Sequence, residues 1–311
     1  MKNCLVWLEW PERCFRAEKP EIDCLRSLCG GSVEIAQVRS EEEFLARLPE
    51  ADVAIVWHFK KEWYALAPRL SLVATPSAGR ELVAWRDAPS GVKVHFGGFH
   101  GAIIAETVAG FVLASAHGFF RRELATDGAW RDCWPRVALS DKCSLVAGTR
   151  AVVAGYGRIG RAVGAKLSAL GVEVSGFSRA NMADFPAAAA EADWLVLALP
   201  SDTGTDGFLD EKTISLLPQR CTVVNVGRGN AIDERALLDA LREGRIAGAY
   251  LDVFRGEPGG GSPDAGAAAG PVLSLPRAEW PAGLVATPHS SAFCAEYLPM
   301  CFKELKDEGL L

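Results

Sequence analysis

One glycine-rich turn constrains the fold of this chain more than any other sequence feature. The apolar segment 151–154 is followed by Gly155, Gly157 and Gly160, and an amphipathic segment, 161–170, comes directly after them. In this spacing the first glycine permits a tight turn, the second lets backbone approach a pyrophosphate, and the third lets helix pack closely on strand. The N-terminus of the helix then offers N–H groups and the positive end of its dipole to phosphate. The turn therefore predicts a strand–turn–helix unit that binds a dinucleotide; a glycine-rich turn without a ligand is the alternative.

Apolar segments alternate with helical segments along two stretches of the chain, a pattern typical of mainly parallel sheets with crossover helices. In the first stretch the predicted strands are 5–8, 33–38, 51–57, 70–75 and 92–96, and the predicted helices are 18–29, 40–48 and 61–67. In the second stretch the predicted strands are 151–154, 172–177, 194–198, 221–226, 247–252 and 284–287. Six strands separated by helices match a dinucleotide-binding sheet.

The segments between and after these stretches indicate two domains. An apolar segment, 102–120, is too long for a strand and predicts a buried helix. The last helix, 297–306, is expected to pack back on the first domain. We therefore predict a discontinuous substrate domain, 1–97 and 291–311, and a dinucleotide-binding domain, 98–290. Residues 127–149 are predicted to be irregular, and the Gly/Ala-rich segment 259–270 to be a surface loop.

Charge and composition exclude several classes of protein. The 311 residues carry a net charge of -6 without a basic tract, which argues against nucleic acid as a partner. No apolar run approaches the roughly 20 residues that span a bilayer, and Glu9 breaks the first one, so neither membrane insertion nor a signal peptide is expected. The 9 cysteines include no Cys-x-x-Cys pair, which favours reduced thiols in a cytoplasm. The 5 histidines never cluster with cysteine at ligand spacing, so no metal site is predicted.

The end of the second strand in the nucleotide-binding stretch bears on the choice of cofactor. An NAD site usually places an acidic residue there, about 20 residues after the first glycine. This chain has Ser178 and Arg179 instead, with Glu173 too early and Asp184 too late. A hydroxyl followed by a guanidinium suits the 2′-phosphate of NADP. The alternative is that Arg179 is an ordinary solvated side chain and that NAD is the cofactor.

Three residues have the chemistry that reduction of a 2-keto acid beside a nicotinamide requires. Arg228, in Val-Gly-Arg-Gly, is a fixed cation for a carboxylate; Glu257 precedes Pro258; and His289 follows Thr-Pro. An imidazole can deliver the proton, and a neighbouring carboxylate favours its charged form. Two of these residues have an ordinary structural alternative: Glu257 as a loop-surface acid, and His289 as a structural histidine.

Several further motifs occur in one order, and together they make the chain resemble the D-isomer-specific 2-hydroxyacid dehydrogenases. Within that family it looks like the glyoxylate/hydroxypyruvate reductase branch. The motifs, which cover nearly the whole chain, are Ser77-Ala78-Gly79, Ala105-Glu106-Thr107, Ala198-Leu199-Pro200, Asn225-Val226-Gly227-Arg228-Gly229, Leu251-Asp252-Val253-Phe254, Glu257-Pro258 and Thr287-Pro288-His289.

The resemblance implies a two-domain α/β fold, with a Rossmann-type doubly wound sheet and a smaller flavodoxin-like substrate domain. It also implies that Arg228, Glu257 and His289 are catalytic and that backbone N–H groups of Ala78 and Gly79 bind the substrate carboxylate. Cofactor binding is implied for Gly155, Tyr156, Gly157, Arg158, Ile159, Gly160, Ser178, Arg179, Leu199, Pro200, Val226, Gly227 and Asp252. For Asp252 the alternative is that it caps a neighbouring helix or turn.

Two expectations about function follow from the resemblance. The first is an NADP-dependent reductase of a small 2-keto acid, with glyoxylate or hydroxypyruvate favoured, that forms a homodimer through the 102–120 helix. The rival is a nucleotide-sensing binding protein of the co-repressor kind on the same fold, which can retain all three residues. Formate dehydrogenase, a different chemistry on this scaffold, pairs its histidine with glutamine, so Glu257 argues against it.

Overall fold

The computed structural model describes residues 1–120, 143–258 and 268–311, and these residues form two compact units. Unit 1 comprises Met1–His100 and Ala292–Leu311, and unit 2 comprises Gly101–Ser291. The sequence predicts divisions at 97/98 and 290/291, close to these positions, and it also predicts that the C-terminal segment belongs to the first unit.

Unit 1 is built on a parallel five-stranded sheet in the order β2-β1-β3-β4-β5. Its strands are β1 (Lys2–Trp7), β2 (Val33–Gln37), β3 (Val53–Val56), β4 (Leu72–Thr75) and β5 (Lys93–Phe96), and its first helices are α1 (Lys19–Cys29) and α2 (Glu41–Arg47). Every residue of β3 and β4 is buried, which is expected of central parallel strands covered on both faces. This strand order is the flavodoxin-like order.

The C-terminal helix, Tyr297–Asp307, is anchored to unit 1 by polar contacts as well as by apolar packing. Its buried side chains include Phe302 and Leu305. The Glu304 carboxylate accepts hydrogen bonds from the Gly98 backbone N–H at 3.0 and 2.9 Å. These contacts explain why residues far apart in the chain form one unit.

Unit 2 contains a parallel six-stranded sheet in the order β11-β10-β9-β8-β6-β7. Its strands are β6 (Arg150–Ala154), β7 (Glu173–Phe177), β8 (Trp194–Leu197), β9 (Thr222–Asn225), β10 (Gly248–Leu251) and β11 (Leu284–Ala286). Its helices are α3 (His100–Ala116, whose first residue belongs to unit 1), α4 (Arg158–Ala169), α5 (Phe185–Ala189), α6 (Glu211–Ile214), α7 (Glu234–Arg242) and α8 (Pro271–Ser274); the C-terminal helix of unit 1 is α9.

The order of strands in unit 2 determines where a ligand fits. The chain passes from β6 to β7 on one side and then returns to β8 on the other side of β6. In open α/β sheets, ligands bind at the carboxyl ends of the strands where the order reverses in this way. The glycine-rich turn follows β6 and therefore lies at this switch point. The predicted α/β class, with two parallel sheets, is confirmed.

Some predicted elements differ in type or length. Residues Lys61–Leu66 form a 3-10 helix and not an α-helix. The apolar helix ends at Ala116, and Gly118 adopts a positive φ of 71° just beyond it. Most of the predicted irregular segment 127–149, and residues 259–267 of the predicted Gly/Ala-rich loop, lie outside the described residues. Among the helices of the described ranges, none is long and apolar enough to cross a membrane.

Candidate active site

The glycine-rich turn has the geometry that its sequence predicts. Gly155 has a φ of 92°, and a Cβ atom there would lie 2.4 Å from the Ala198 carbonyl oxygen. A Cβ on Gly160 would lie 2.3 Å from the Gly155 carbonyl oxygen and 3.2 Å from the Val153 side chain. Only glycine fits at either position, because helix α4, the turn and the loop after β8 are in direct backbone contact. The first N–H groups of α4 have no carbonyl partner within the helix and suit a phosphate.

The side chain of Tyr156, one of the predicted cofactor-binding residues, packs between strand β7 and helix α4. Its ring packs against the backbone of β7, where a Cβ on Gly176 would lie 2.4 Å from the ring. Its hydroxyl is close to helix α4, since a Cβ on Gly164 would lie 2.9 Å from it. The Tyr156 backbone N–H donates to the Phe177 carbonyl at 2.9 Å. Tyr156 therefore fixes the turn against the sheet, and its predicted contact with the cofactor stays a prediction.

The loops after β8 and β9 also meet at the carboxyl edge of the sheet. A Cβ on Gly227 would lie 2.7 Å from the backbone nitrogen and oxygen of Leu199. Leu199 and Val226 are buried, whereas Pro200 is exposed. Asn225 is fully buried; its side chain accepts from the Gly227 N–H at 3.1 Å and donates to the Arg228 carbonyl at 3.1 Å. The predicted segment that precedes Arg228 is therefore held rigidly beside the glycine-rich turn.

Arg228 is held in place with one donor unused. Its NH1 group donates to the Gly227 carbonyl at 2.8 Å. Its Nε is buried and has no hydrogen-bond partner among the described residues. A buried donor without a partner costs free energy, and such groups in native structures usually await a ligand or a water. The guanidinium is suited to a carboxylate, which accepts from it through charge-assisted bonds.

Backbone contact connects the Arg228 loop to the loop that carries Glu257. A Cβ on Gly229 would lie 2.0 Å from the Phe254 carbonyl carbon. The Arg255 guanidinium donates to the Asn230 carbonyl at 3.3 Å. The two predicted catalytic loops are therefore neighbours at the ends of β9 and β10.

Glu257 and His289 form the predicted pair. Glu257 Oε2 lies 2.8 Å from His289 Nδ1, and Glu257 Oε1 accepts from the Phe254 backbone N–H at 2.7 Å. The side chain of Glu257 is 12% exposed and that of His289 is 43% exposed. Because Nδ1 faces the carboxylate, Nε2 is the ring nitrogen that remains for proton transfer. His289 is the one non-glycine residue in the described ranges with a positive φ, 52°.

The Asp252 carboxylate binds the turn that carries His289. Asp252 is 1% exposed, and its carboxylate accepts from Thr287 Oγ1 at 2.6 Å, Ser290 N at 2.8 Å and Ser291 N at 3.0 Å. The structure thus supports the alternative weighed for Asp252, a turn cap, and its predicted contact with the cofactor stays untested.

Three residues to which the sequence analysis assigned no role, Tyr250, Thr287 and Thr107, extend this network. Thr287 donates to Asp252, so it accepts from the Tyr250 hydroxyl 2.8 Å away. Burial raises the pKa of Tyr250 to about 12, which keeps the hydroxyl proton available. Thr107 of α3 donates to the Ser291 carbonyl at 2.9 Å and holds the far end of the same turn. Thr107 and Thr287 belong to motifs that the sequence revealed, but their partners are set by the fold.

Glu234 is a further residue without any signal in the sequence. It is buried at the start of α7, and its carboxylate accepts from the Arg255 N–H and the Val272 N–H, both at 2.9 Å. It thereby joins the Glu257 loop to helix α8.

The predicted cofactor-selecting residues lie at the end of β7. Ser178 and Arg179 are both exposed. The Ser178 N–H and hydroxyl donate to Asn181 Oδ1 at 2.8 and 3.2 Å. The Arg179 guanidinium donates to Asp202 Oδ2 at 2.8 Å, so this exposed side chain forms a surface ion pair.

Ala78 and Gly79 belong to unit 1, where they follow β4. Ser77 donates its hydroxyl to the Gly79 carbonyl at 3.1 Å, and the Gly97 N–H donates to the Ser77 carbonyl at 3.0 Å. Arg80, just beyond, lies over the rings of Trp85 and Phe96 at 5.0 and 5.2 Å. The loop is ordered by its own contacts, and its predicted role in substrate binding stays a prediction.

A dinucleotide switch point, an arginine with an unused buried donor, and a carboxylate–imidazole pair define a class of nicotinamide-dependent oxidoreductase. Residues 111–291 match the family model for the D-isomer specific 2-hydroxyacid dehydrogenase, NAD binding domain. The chain belongs to this family of NAD(P)-dependent oxidoreductases, as the sequence motifs predicted.

Known relatives are similar over most of this chain. The D-3-phosphoglycerate dehydrogenase of Mycobacterium leprae is 30% identical to this chain over 86% of the chain's residues. The match covers only 50% of the length of the mycobacterial protein. The glyoxylate reductase of Thermococcus kodakarensis is 28% identical over 70% of the chain and 71% of its own length. A D-isomer specific 2-hydroxyacid dehydrogenase from Xanthobacter autotrophicus Py2, solved with NADPH and MES, has the same fold, with a TM-score of 0.71 and 23% identity over 99% of this chain and 96% of its own.

Proposed function

We propose that this protein reduces a small 2-keto acid to the D-2-hydroxy acid with NADPH as cofactor. The observation that carries the proposal is the 2.8 Å contact between His289 and Glu257 beside the loop that holds the unpaired Nε of Arg228. The pair supplies the proton donor that a reductase needs and so supports the enzyme; because a nucleotide-sensing protein of this fold can retain the same residues, turnover is the observation that separates the two.

The residues of unit 2 fit a dinucleotide. The turn of Gly155, Gly157 and Gly160 with the N-terminus of α4 would bind the pyrophosphate, and Ser178 and Arg179 would bind the 2′-phosphate. Leu199 and Val226 supply buried apolar surface next to the turn. When bound, the reduced nicotinamide supplies a hydride to the carbonyl carbon of the substrate.

The side chains of the chain complete the reaction. Arg228 would bind the substrate carboxylate and stabilise the negative charge that develops on the carbonyl oxygen. The Nε2 proton of His289 would pass to that oxygen, and Glu257, held by the Phe254 N–H, would stabilise the imidazolium before transfer. In the oxidation direction the neutral imidazole would take the proton back.

Glyoxylate and hydroxypyruvate are the favoured substrates, and the glyoxylate reductase among the relatives supports that choice. The mycobacterial relative makes 3-phosphoglycerate a substrate to test in the oxidation direction. A homodimer formed through α3 and a cytoplasmic location stay predictions from the sequence. Two large apolar side chains just beyond α3, Phe119 and Phe120, are exposed and support the assembly.

The test is a screen of NADPH and NADH consumption with glyoxylate, hydroxypyruvate, pyruvate and bulkier 2-keto acids. Turnover should be fastest with a two- or three-carbon keto acid. The products from hydroxypyruvate and pyruvate should be the D-isomers by chiral chromatography, whereas glycolate, the product from glyoxylate, is achiral. Cofactor binding without turnover of any of these acids would contradict the proposal and favour the binding-protein alternative.

A further inference from the structure

Arg179 and Asp202 form an ion pair at the end of β7, the position at which nucleotide-binding sheets usually distinguish NAD from NADP. Arg179 NH2 and Asp202 Oδ2 are 2.8 Å apart, and their side chains are 89% and 34% exposed. Arg179 follows β7 and Asp202 follows β8, the two strands that flank β6. The pair is therefore at the same carboxyl edge as the glycine-rich turn, within unit 2.

Asp202 is the fixed member of this pair. Its Oδ1 accepts from the Gly204 N–H at 2.8 Å, and its own backbone N–H donates to Thr205 Oγ1 at 3.1 Å. Thr205 Oγ1 in turn donates to the Pro200 carbonyl at 2.6 Å. The carboxylate is set in place by its turn, whereas Arg179 is a long exposed side chain that reaches it.

We propose that Asp202 is a specificity-determining residue that occupies Arg179 and thereby limits the preference for NADPH over NADH; this inference rests on the proposed use of a nicotinamide cofactor. The 2′-phosphate of NADPH must compete with the Asp202 carboxylate for the Arg179 guanidinium, which weakens the ion pair that the phosphate can form with Arg179. The Asp202 carboxylate also repels that phosphate, whereas a 2′-hydroxyl group carries no charge to repel.

The sequence could not show this effect. The end of β7 has no acidic residue, which by itself predicts a strong preference for NADPH. The acid is supplied from the next strand's loop, 23 residues further along the chain. Asp202 thus partly replaces the missing carboxylate, and the chain is expected to use both cofactors with a modest preference for NADPH.

The test is fluorescence titration of the full chain with NADPH and with NADH, in the absence of any keto acid. Asp202→Asn keeps an oxygen for the Gly204 N–H but removes the charge that holds Arg179. The matched control is Asp206→Asn, which makes the same charge change in the same loop; Asp206 pairs with Arg255 at 3.0 Å and not with Arg179.

Asp202→Asn should tighten NADPH binding about three- to tenfold, the range that an exposed ion pair and like-charge repulsion through water provide. NADH affinity should change by less than about twofold, and Asp206→Asn should leave the ratio of the two affinities unchanged. An unchanged ratio in Asp202→Asn, or weaker NADPH binding, would overturn the proposal.

A second pair of variants tests whether Asp202 acts through Arg179. Arg179→Ala should weaken NADPH binding, and adding Asp202→Asn to it should then give a smaller gain than in the wild-type background, because the release of Arg179 no longer contributes and only the direct repulsion of the phosphate is removed. A gain of the same size in both backgrounds would overturn the role assigned to the ion pair. Failure of wild-type protein to bind either cofactor would contradict the proposed function itself, which separates that outcome from an unchanged ratio.

Discussion

The carboxylate of Asp252 offers the sharpest test of how the fold positions His289. Asp252→Asn preserves the shape of the side chain but replaces one acceptor oxygen by a donor. With its oxygen toward Thr287 and Ser290, the Asn amide group would face the Ser291 N–H, which the carboxylate now accepts at 3.0 Å. Two donors would then oppose each other at a site where Asp252 is 1% exposed and Ser291 is also buried.

The magnitude follows from these contacts. Hydrogen bonds to a charged acceptor contribute about 1.5–3 kcal/mol each, and a buried donor left without a partner costs about 1–3 kcal/mol. Asp252→Asn loses the Ser291 bond and weakens the other two, so the free energy of unfolding should fall by about 2–4 kcal/mol. For a unit of this size, 1 kcal/mol corresponds to about 2–4 °C, so Tm should fall by at least about 4 °C.

The same substitution should affect catalysis through the position of His289. The His289 backbone N–H donates to the Asp252 carbonyl and the Thr287 carbonyl, and its φ of 52° is sustained by this turn. A loosened turn should lower kcat about ten- to a hundredfold with a smaller effect on KM, because proton transfer depends on exact placement.

Urea unfolding and steady-state kinetics measure the two effects. Asp239→Asn is the matched control. The side chain of Asp239, in α7, is half-exposed and pairs with Arg242 at 3.3 Å, and loss of this pair should change the free energy of unfolding by less than about 0.5 kcal/mol. If Asp252→Asn unfolds within about 0.5 kcal/mol of wild type and keeps its kcat, the positioning role is refuted.

Three further outcomes are expected. His289→Asn, which suits the left-handed backbone, should lower kcat about 10²- to 10⁴-fold without loss of stability, whereas the exposed His117→Asn should retain activity; near-normal turnover of the first variant would exclude His289 as the acid. A hydrogen bond from the Asn3 N–H, and then the Arg69 guanidinium, hold the pKa of Asp52 in the folded protein below its ordinary 3.8. The ionised Asp52 carboxylate therefore stabilises the fold above pH 3.8, and this stabilisation is lost as the pH falls through the lowered pKa of the folded state. The difference in unfolding free energy between wild type and Asp52→Asn should therefore be constant near neutral pH and narrow below pH 3.8; a constant difference down to acid unfolding would contradict it. Light scattering should give about twice the 33.3 kDa chain mass at micromolar concentration, and replacing Phe119 and Phe120 with Asp should give monomers; a wild-type monomer would refute the homodimer.

The strands and the contact between Glu257 and His289 could be predicted from the sequence, because the strand signals are local and the resemblance pairs these two residues. Short apolar runs between glycine and polar segments placed all eleven strands to within a few residues, from β1 (Lys2–Trp7) to β11 (Leu284–Ala286). The spacing of Gly155, Gly157 and Gly160 specified a turn whose steric demands act within a few residues. The resemblance paired Glu257 with His289, and the 2.8 Å contact is present.

The tertiary structure determined which side chains contact one another at the carboxyl edge of the sheet. Tyr156 lies within the nucleotide-binding motif of the sequence, but in the fold its ring packs against β7 and α4. Asp252 became a turn cap because parallel β10 and β11 bring residues 252 and 287–291 to one edge. Arg179 met Asp202 for the same reason, since β7 and β8 lie on either side of β6. The sequence by itself determined the elements, the turn and the catalytic residue types; the order of strands in the sheet determined their partners, because it sets which loops meet at the carboxyl edge.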